Sequence, residues 1–160
     1  MKKSIKIFLV LLSICFVTLS ANIVVFAKVD IPQATDKFYV NDFADVFTES
    51  EEDELMQKAV DLAEKTEGVQ VVVTTIKSLD GEELEEYANE MYNQYGIGKD
   101  DMGLLLLLST EDRLIRVEVG RKMEQYIPDS KAGRFVDNYA IPSLKENKFN
   151  EALIKLQGAF

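Results

Sequence analysis

The chain has 160 residues, 18 Lys and Arg against 28 Asp and Glu, no histidine and a formal net charge of −10 at pH 7. That length is one domain, and the acidic balance argues against a duplex nucleic-acid binder, because phosphate neutralisation needs a basic face. The absence of histidine excludes Ser-His and Cys-His nucleophile pairs and His-ligated zinc, while a 47% hydrophobic composition is enough to build a core.

Residues 1–27 read as a secretory signal peptide. Lys2, Lys3 and Lys6 open the segment, Ile7 to Leu12 and Ile14 to Leu19 form its apolar middle, and Val25 and Ala27 are small residues before Lys28. Ser13, Ser20 and Asn22 interrupt the apolar stretch, which favours cleavage over retention as an anchor. Cleavage removes the single cysteine, Cys15, and takes the charge from −10 to −13. The expected location is therefore extracytoplasmic, secreted or associated with the cell envelope.

Residues 28–37 read as a short lead-in. Phe38 to Val40 are taken as a short strand followed by a turn at Asn41 and Asp42. Thr48 and Glu51 have the spacing of a capping box, and Leu55, Met56, Ala59, Val60, Leu62 and Ala63 follow at helical period until Gly68. Val69 to Ile76 is β-branched and apolar, the pattern of a buried strand. A second helix carries Leu84, Tyr87, Ala88, Met91, Tyr92 and Tyr95 on one stripe, with Asp80 together with Glu83 as its cap and Gly96 and Gly98 at its end.

Leu104 to Leu108 are five consecutive leucines, the continuous apolarity of a strand covered on both faces. A turn at Thr110 to Arg113 joins them to Leu114–Val119, making a β-hairpin. A short helix is predicted at Met123–Ile127, another from Asp129 or Ser130 that Pro142 kinks or ends, and a last one capped by Asn150. Strands alternating with helices, plus one antiparallel pair, predict an α/β fold: a three-layer α/β/α sandwich with a small mixed sheet.

No P-loop, dinucleotide fingerprint, EF-hand loop or nucleophile elbow is found in the sequence. Asp42, Asp101 (with Asp100 beside it) and Asp129 lie in loops or at element ends, where α/β proteins place their sites. Carboxylates from separate loops suit Ca2+ or Mg2+. The same residue type is also favoured at caps and turns. Arg113, Arg116, Arg121 and Arg134 are scattered, and ion pairing accounts for such residues equally well.

Four blocks then occur in order: Val40 to Phe47, Asp101 to Leu107, Asp112 to Gly120 and Ile127 to Arg134. Together they resemble the TPM domain, also called the thylakoid acid phosphatase-like domain, over residues 38–160. The resemblance implies an α/β/α sandwich in an extracytoplasmic or membrane-tethered setting. It implies binding of a divalent cation through loop aspartates, with Asp42, Asp101 and Asp129 matching the acidic positions. It further implies a role as an accessory factor for an envelope or membrane protein, or activity as an acid phosphatase on a small phosphate ester. In the enzymatic reading Arg121 and Arg134 would hold the phosphate. An ion-independent interaction domain is the third reading.

Overall fold

The computed structural model describes residues 30–66 and 68–160. The segment read as a signal peptide lies outside the described residues.

The sheet has four strands in the order β1 (Val40–Asp42), β2 (Gln70–Ile76), β3 (Gly103–Ser109) and β4 (Leu114–Val119). β1, β2 and β3 are parallel, and β4 runs antiparallel to β3. Val40 lies opposite Val73, Val73 opposite Leu106, and Leu106 opposite Val117.

Alternation along the strands divides the core in two. Val71, Val73, Leu104, Leu106, Leu108 and Val117 point to one face. There they meet α1 (Glu49–Lys65), α3 (Asp129–Phe135), α4 (Ile141–Lys145) and α5 (Phe149–Gln157) through Leu55, Ala132, Leu144, Leu153 and Leu156. Val72, Ile76, Leu105 and Leu107 point the other way, onto Tyr87, Ala88, Met91 and Tyr92 of α2 (Leu84–Tyr95). The leucine run thus serves both layers, and all five leucines are fully buried. This is the expected three-layer α/β/α sandwich with a mixed sheet.

Several local expectations hold. Thr48 and Glu51 form the capping box of α1, and Gly96 ends α2 in the left-handed conformation that glycine adopts freely. Others need correction. Asp42 is the last residue of β1, not part of a following turn. Neither Asp80 nor Glu83 caps α2 with a side chain. The segment around Met123–Ile127 is a series of turns, not a helix.

Pro142 does not end the helix that starts at Asp129. After α3 the chain widens into a π-helical segment, Val136–Ala140, in which the Ile141 N–H reaches back to the Val136 carbonyl. This extra residue in the turn accommodates the ring, and Pro142 then occupies the first turn of α4, where its missing N–H costs nothing. Asn150 does not cap α5; its side chain donates to Glu51 Oε1 at 2.7 Å and ties α5 to α1.

The segment before β1 packs against α2. Ile31 is buried, the Tyr95 hydroxyl donates to the Pro32 carbonyl at 2.9 Å, and Gln94 donates to the Ile31 carbonyl.

Candidate functional site

The three aspartates singled out in the sequence stand in three different places. Asp42 is held by its own loop: Oδ2 accepts the Val46 and Phe47 backbone N–H groups at 2.8 and 2.9 Å, and Oδ1 accepts the Thr75 hydroxyl. Thr75 in turn accepts the Ala44 N–H. The carboxylate therefore organises the turn that leads from β1 into α1.

Asp101 lies at the opposite end of the sheet. Asp42 is level with Thr75, and Thr75 with Leu108, whereas Asp101 comes just before Gly103. At about 3.3 Å per residue, five strand positions separate the two ends by roughly 16 Å. Asp129 is the first residue of α3 and makes no capping bond. It lines a groove of about 360 Å3 with Glu85 and Arg116, whereas Asp101 lines separate grooves of about 340 and 160 Å3. Among the described residues no three acidic side chains come together to hold a metal ion. Asp42, Asp101 and Asp129 are therefore not gathered into one ligand set.

The loop carrying Asp101 has the more unusual chemistry. Asp100 and Asp101 both have positive φ, 58° and 62°, an uncommon conformation for residues with a Cβ and costly as a consecutive pair. Glycine surrounds them. A Cβ on Gly98 would collide with the backbone of Met102 and Gly103. A Cβ on Gly120 would overlap the Tyr92 hydroxyl and the Asp101 carbonyl.

Tyr92 is thus brought from α2 to the end of β4 and the Asp101 loop. Its hydroxyl is buried and has no hydrogen-bond partner among the described residues, an arrangement that carries a desolvation cost. Burial, followed by the nearby charges of Asp101 and Glu118, pushes its pKa up to about 12. The hydroxyl is therefore a neutral donor and acceptor at physiological pH.

The smaller groove is lined by Tyr92, Asn93, Asp101, Glu118, Arg121 and Glu124. Glu118 is committed to Arg116 at 2.8 Å and accepts from Asn89 at 3.2 Å. Asp100 lies 3.8 Å from the Lys122 ammonium. This set offers oxygen ligands only, the donor type that hard cations take. Arg121 is in the same groove, whereas Arg134 is exposed on α3 and lines neither groove.

The sequence reading places Tyr92 in a core stripe, which is where its ring lies. Its orphaned hydroxyl was missed, because nothing in helical periodicity distinguishes a partnered tyrosine from an unpartnered one. Gly120 carried a faint signal, a glycine directly after a strand.

A model of the TPM domain matches residues 40–159. The fold is similar to the solution NMR structure of the N-terminal domain of a protein from P. gingivalis. That likeness has 25% identity and a TM-score of 0.70, covering 77% of this chain and 79% of that one. It is also similar to the N-terminal domain of the cg2496 protein from Corynebacterium glutamicum, at 16% identity and a TM-score of 0.61, covering 82% and 83%. No curated protein is matched by the sequence.

Proposed function

Because the chain belongs to the TPM domain family, we propose that it works outside the cytoplasm as a non-enzymatic accessory module for an envelope or membrane protein, and that its ion chemistry centres on the Asp101 loop. The reading of a single cation shared by Asp42, Asp101 and Asp129 is replaced by one centred on Asp101. The observation that carries this is the buried, unpartnered Tyr92 hydroxyl beside the left-handed Asp100–Asp101 pair and the obligatory Gly120. An oxygen-rich pocket with an unsatisfied polar atom gains most from a ligand that satisfies it. Asp101, Tyr92 and Asn93 are the residues that would hold Ca2+ or Mg2+, and the bound ion would supply a local positive charge on an acidic surface. Among the described residues no helix is long and apolar enough to cross a membrane; the extracytoplasmic placement rests on the leader-like residues 1–27.

Titration of the protein with Ca2+ or Mg2+, followed by backbone amide NMR, tests the reading. Shifts confined to residues around Asp101, Tyr92 and Gly120, abolished in Asp101→Asn and retained in Asp129→Asn, are the expected result. Weak shifts spread over all acidic residues would refute it and favour an ion-independent interaction domain.

The second reading is a metal-dependent phosphomonoesterase, favoured by Arg121 lining the same groove as Asp101. Phosphoryl transfer needs positive charge around the transferring group. Here Asp101, Glu118 and Glu124 outnumber Arg121 in the groove, so binding is preferred over catalysis. Cation-dependent hydrolysis of p-nitrophenyl phosphate that disappears in both Arg121→Ala and Asp101→Asn would reverse that preference.

A further inference from the structure

We propose that the free edge of β4 is a docking strand for an extended, basic segment of a partner protein, received between Glu85 of α2 on one side and Asp129, Gly133 and Asp137 on the other. The inference does not rest on the ion reading: its groove is lined by Ile115, Arg116 and Val117, and of the three outward-facing residues of the edge only Val119 also borders the Asp101 groove.

β4 is the last strand of the sheet. In an antiparallel ladder, residues alternate between those bonded to the neighbour and those whose N–H and C=O point away. Gly120 donates to the Gly103 carbonyl, so Glu118, Arg116 and Leu114 face β3 and Val119, Val117 and Ile115 face outward. No turn, loop or side-chain hydrogen bond among the described residues engages the backbone of those three. A six-residue edge with open backbone groups is a template for strand addition. β1, the opposite edge, has only three residues.

The surroundings specify the occupant. Ile115, Arg116 and Val117 line the groove of about 360 Å3, and its walls come from helices on both faces of the sheet. The walls present the carboxylates of Glu85, Asp129 and Asp137. Among the described residues the one cation lining the groove, Arg116, is already paired with Glu118 at 2.8 Å and Glu85 at 3.5 Å. The remaining field is negative and suits Lys or Arg side chains projecting from alternate positions of an added strand. A second copy of this chain, itself at −10, is the wrong charge for the position.

Gly133 is the independent observation. It sits within α3, where glycine weakens a helix relative to alanine. Its φ is not positive, and a Cβ placed there would meet nothing within 4 Å. No packing among the described residues calls for glycine at this position. An approaching backbone would, because the missing side chain keeps the groove wall open beside the β4 edge.

The test uses an eight-residue peptide in which Lys alternates with Val or Thr, and a second peptide of identical sequence and charge N-methylated at alternate residues along one edge. The unmethylated peptide is expected to shift and protect the Ile115, Val117 and Val119 amides. N-methylation is expected to weaken binding about tenfold or more, as the loss of several backbone bonds implies. Gly133→Leu is expected to fold with an unchanged or raised Tm and to bind the peptide at least about tenfold more weakly. Asp129→Asn with Asp137→Asn is expected to reduce affinity at low salt. Equal binding of both peptides would mean attraction to net charge alone and would overturn the proposal. So would full binding by Gly133→Leu, or sedimentation showing a dimer of this chain that the peptide breaks.

Discussion

Asp42, which ends β1, and Tyr92, in the last turn of α2, both carry polar groups, but their energetics run in opposite directions. Asp42 is fully used: two backbone N–H groups and the Thr75 hydroxyl converge on it. Hydrogen bonds to a charged acceptor are worth about 1.5–3 kcal/mol net. Asp42→Ala, which also leaves the Val46 and Phe47 N–H groups unpartnered, is therefore expected to lower stability by about 2–3 kcal/mol. Asp42→Asn keeps an oxygen for the backbone and is expected to cost less; urea midpoints of the two variants check the order. Tyr92 holds an unsatisfied buried hydroxyl. Tyr92→Phe removes that desolvation burden and is expected to leave the midpoint unchanged or raise it in cation-free buffer. If the hydroxyl serves the proposed ion, the same variant loses cation affinity, a separation of stability from binding that a purely packing role would not produce. The sequence marks Asp42 as an acid at a strand end, and both a ligand and a turn-organiser satisfy that description. Only the position of Val46, Phe47 and Thr75 around it decides between them.

At the level of elements, α1 was the most legible and the stretch from Asp129 to Lys145 the least. Thr48 and Glu51 are close in sequence, so the capping box is local information: Glu51 Oε2 accepts the Thr48 N–H at 2.8 Å, and the Glu51 N–H donates to Thr48 Oγ1 at 3.3 Å. The π-helical segment and the fate of Pro142 are set by packing of Ala140 and Leu144 into a core built from distant strands, which periodicity does not register. The role of Asn150 was missed for the same reason, its partner Glu51 being 99 residues away. The box also has a pH signature. Bonding by the Thr48 backbone, with help from the Asn150 side chain, holds the Glu51 carboxyl below its ordinary value of 4.5. A depressed folded-state pKa means that this stabilisation is complete above the unfolded value and is lost as pH falls through the folded one. Glu51→Gln is expected to flatten that part of the stability profile by lowering stability at pH 7, where the carboxylate contributes in full, while changing little well below pH 4.5. Thr48→Ala is expected to cost about 1 kcal/mol at both pH values, as denaturation at each pH would show.

For the whole molecule, layer architecture follows from patterning, whereas the meeting of side chains does not. Five leucines announce a strand buried on both faces, and that alone requires helices above and below. Three loop acids announce nothing about convergence, because strand direction and register decide which loops share an end of the sheet. With β1 parallel to β3, the residue ending β1 and the residue preceding β3 are at opposite ends. The acidity itself has a global consequence. A net charge of −10 repels itself in the compact state, so added salt is expected to raise Tm by screening, since the Debye length shrinks from about 10 Å at 0.1 M to about 3 Å at 1 M. Diffuse screening depends on ionic strength, whereas a ligated ion stabilises by mass action at its own site. CaCl2 and KCl compared at equal ionic strength therefore separate the two. An excess Tm rise with CaCl2 that Asp101→Asn removes and Asp42→Ala preserves is the expected outcome. Equal rises in both salts would assign the whole effect to the surface field and leave the Asp101 loop without an ion.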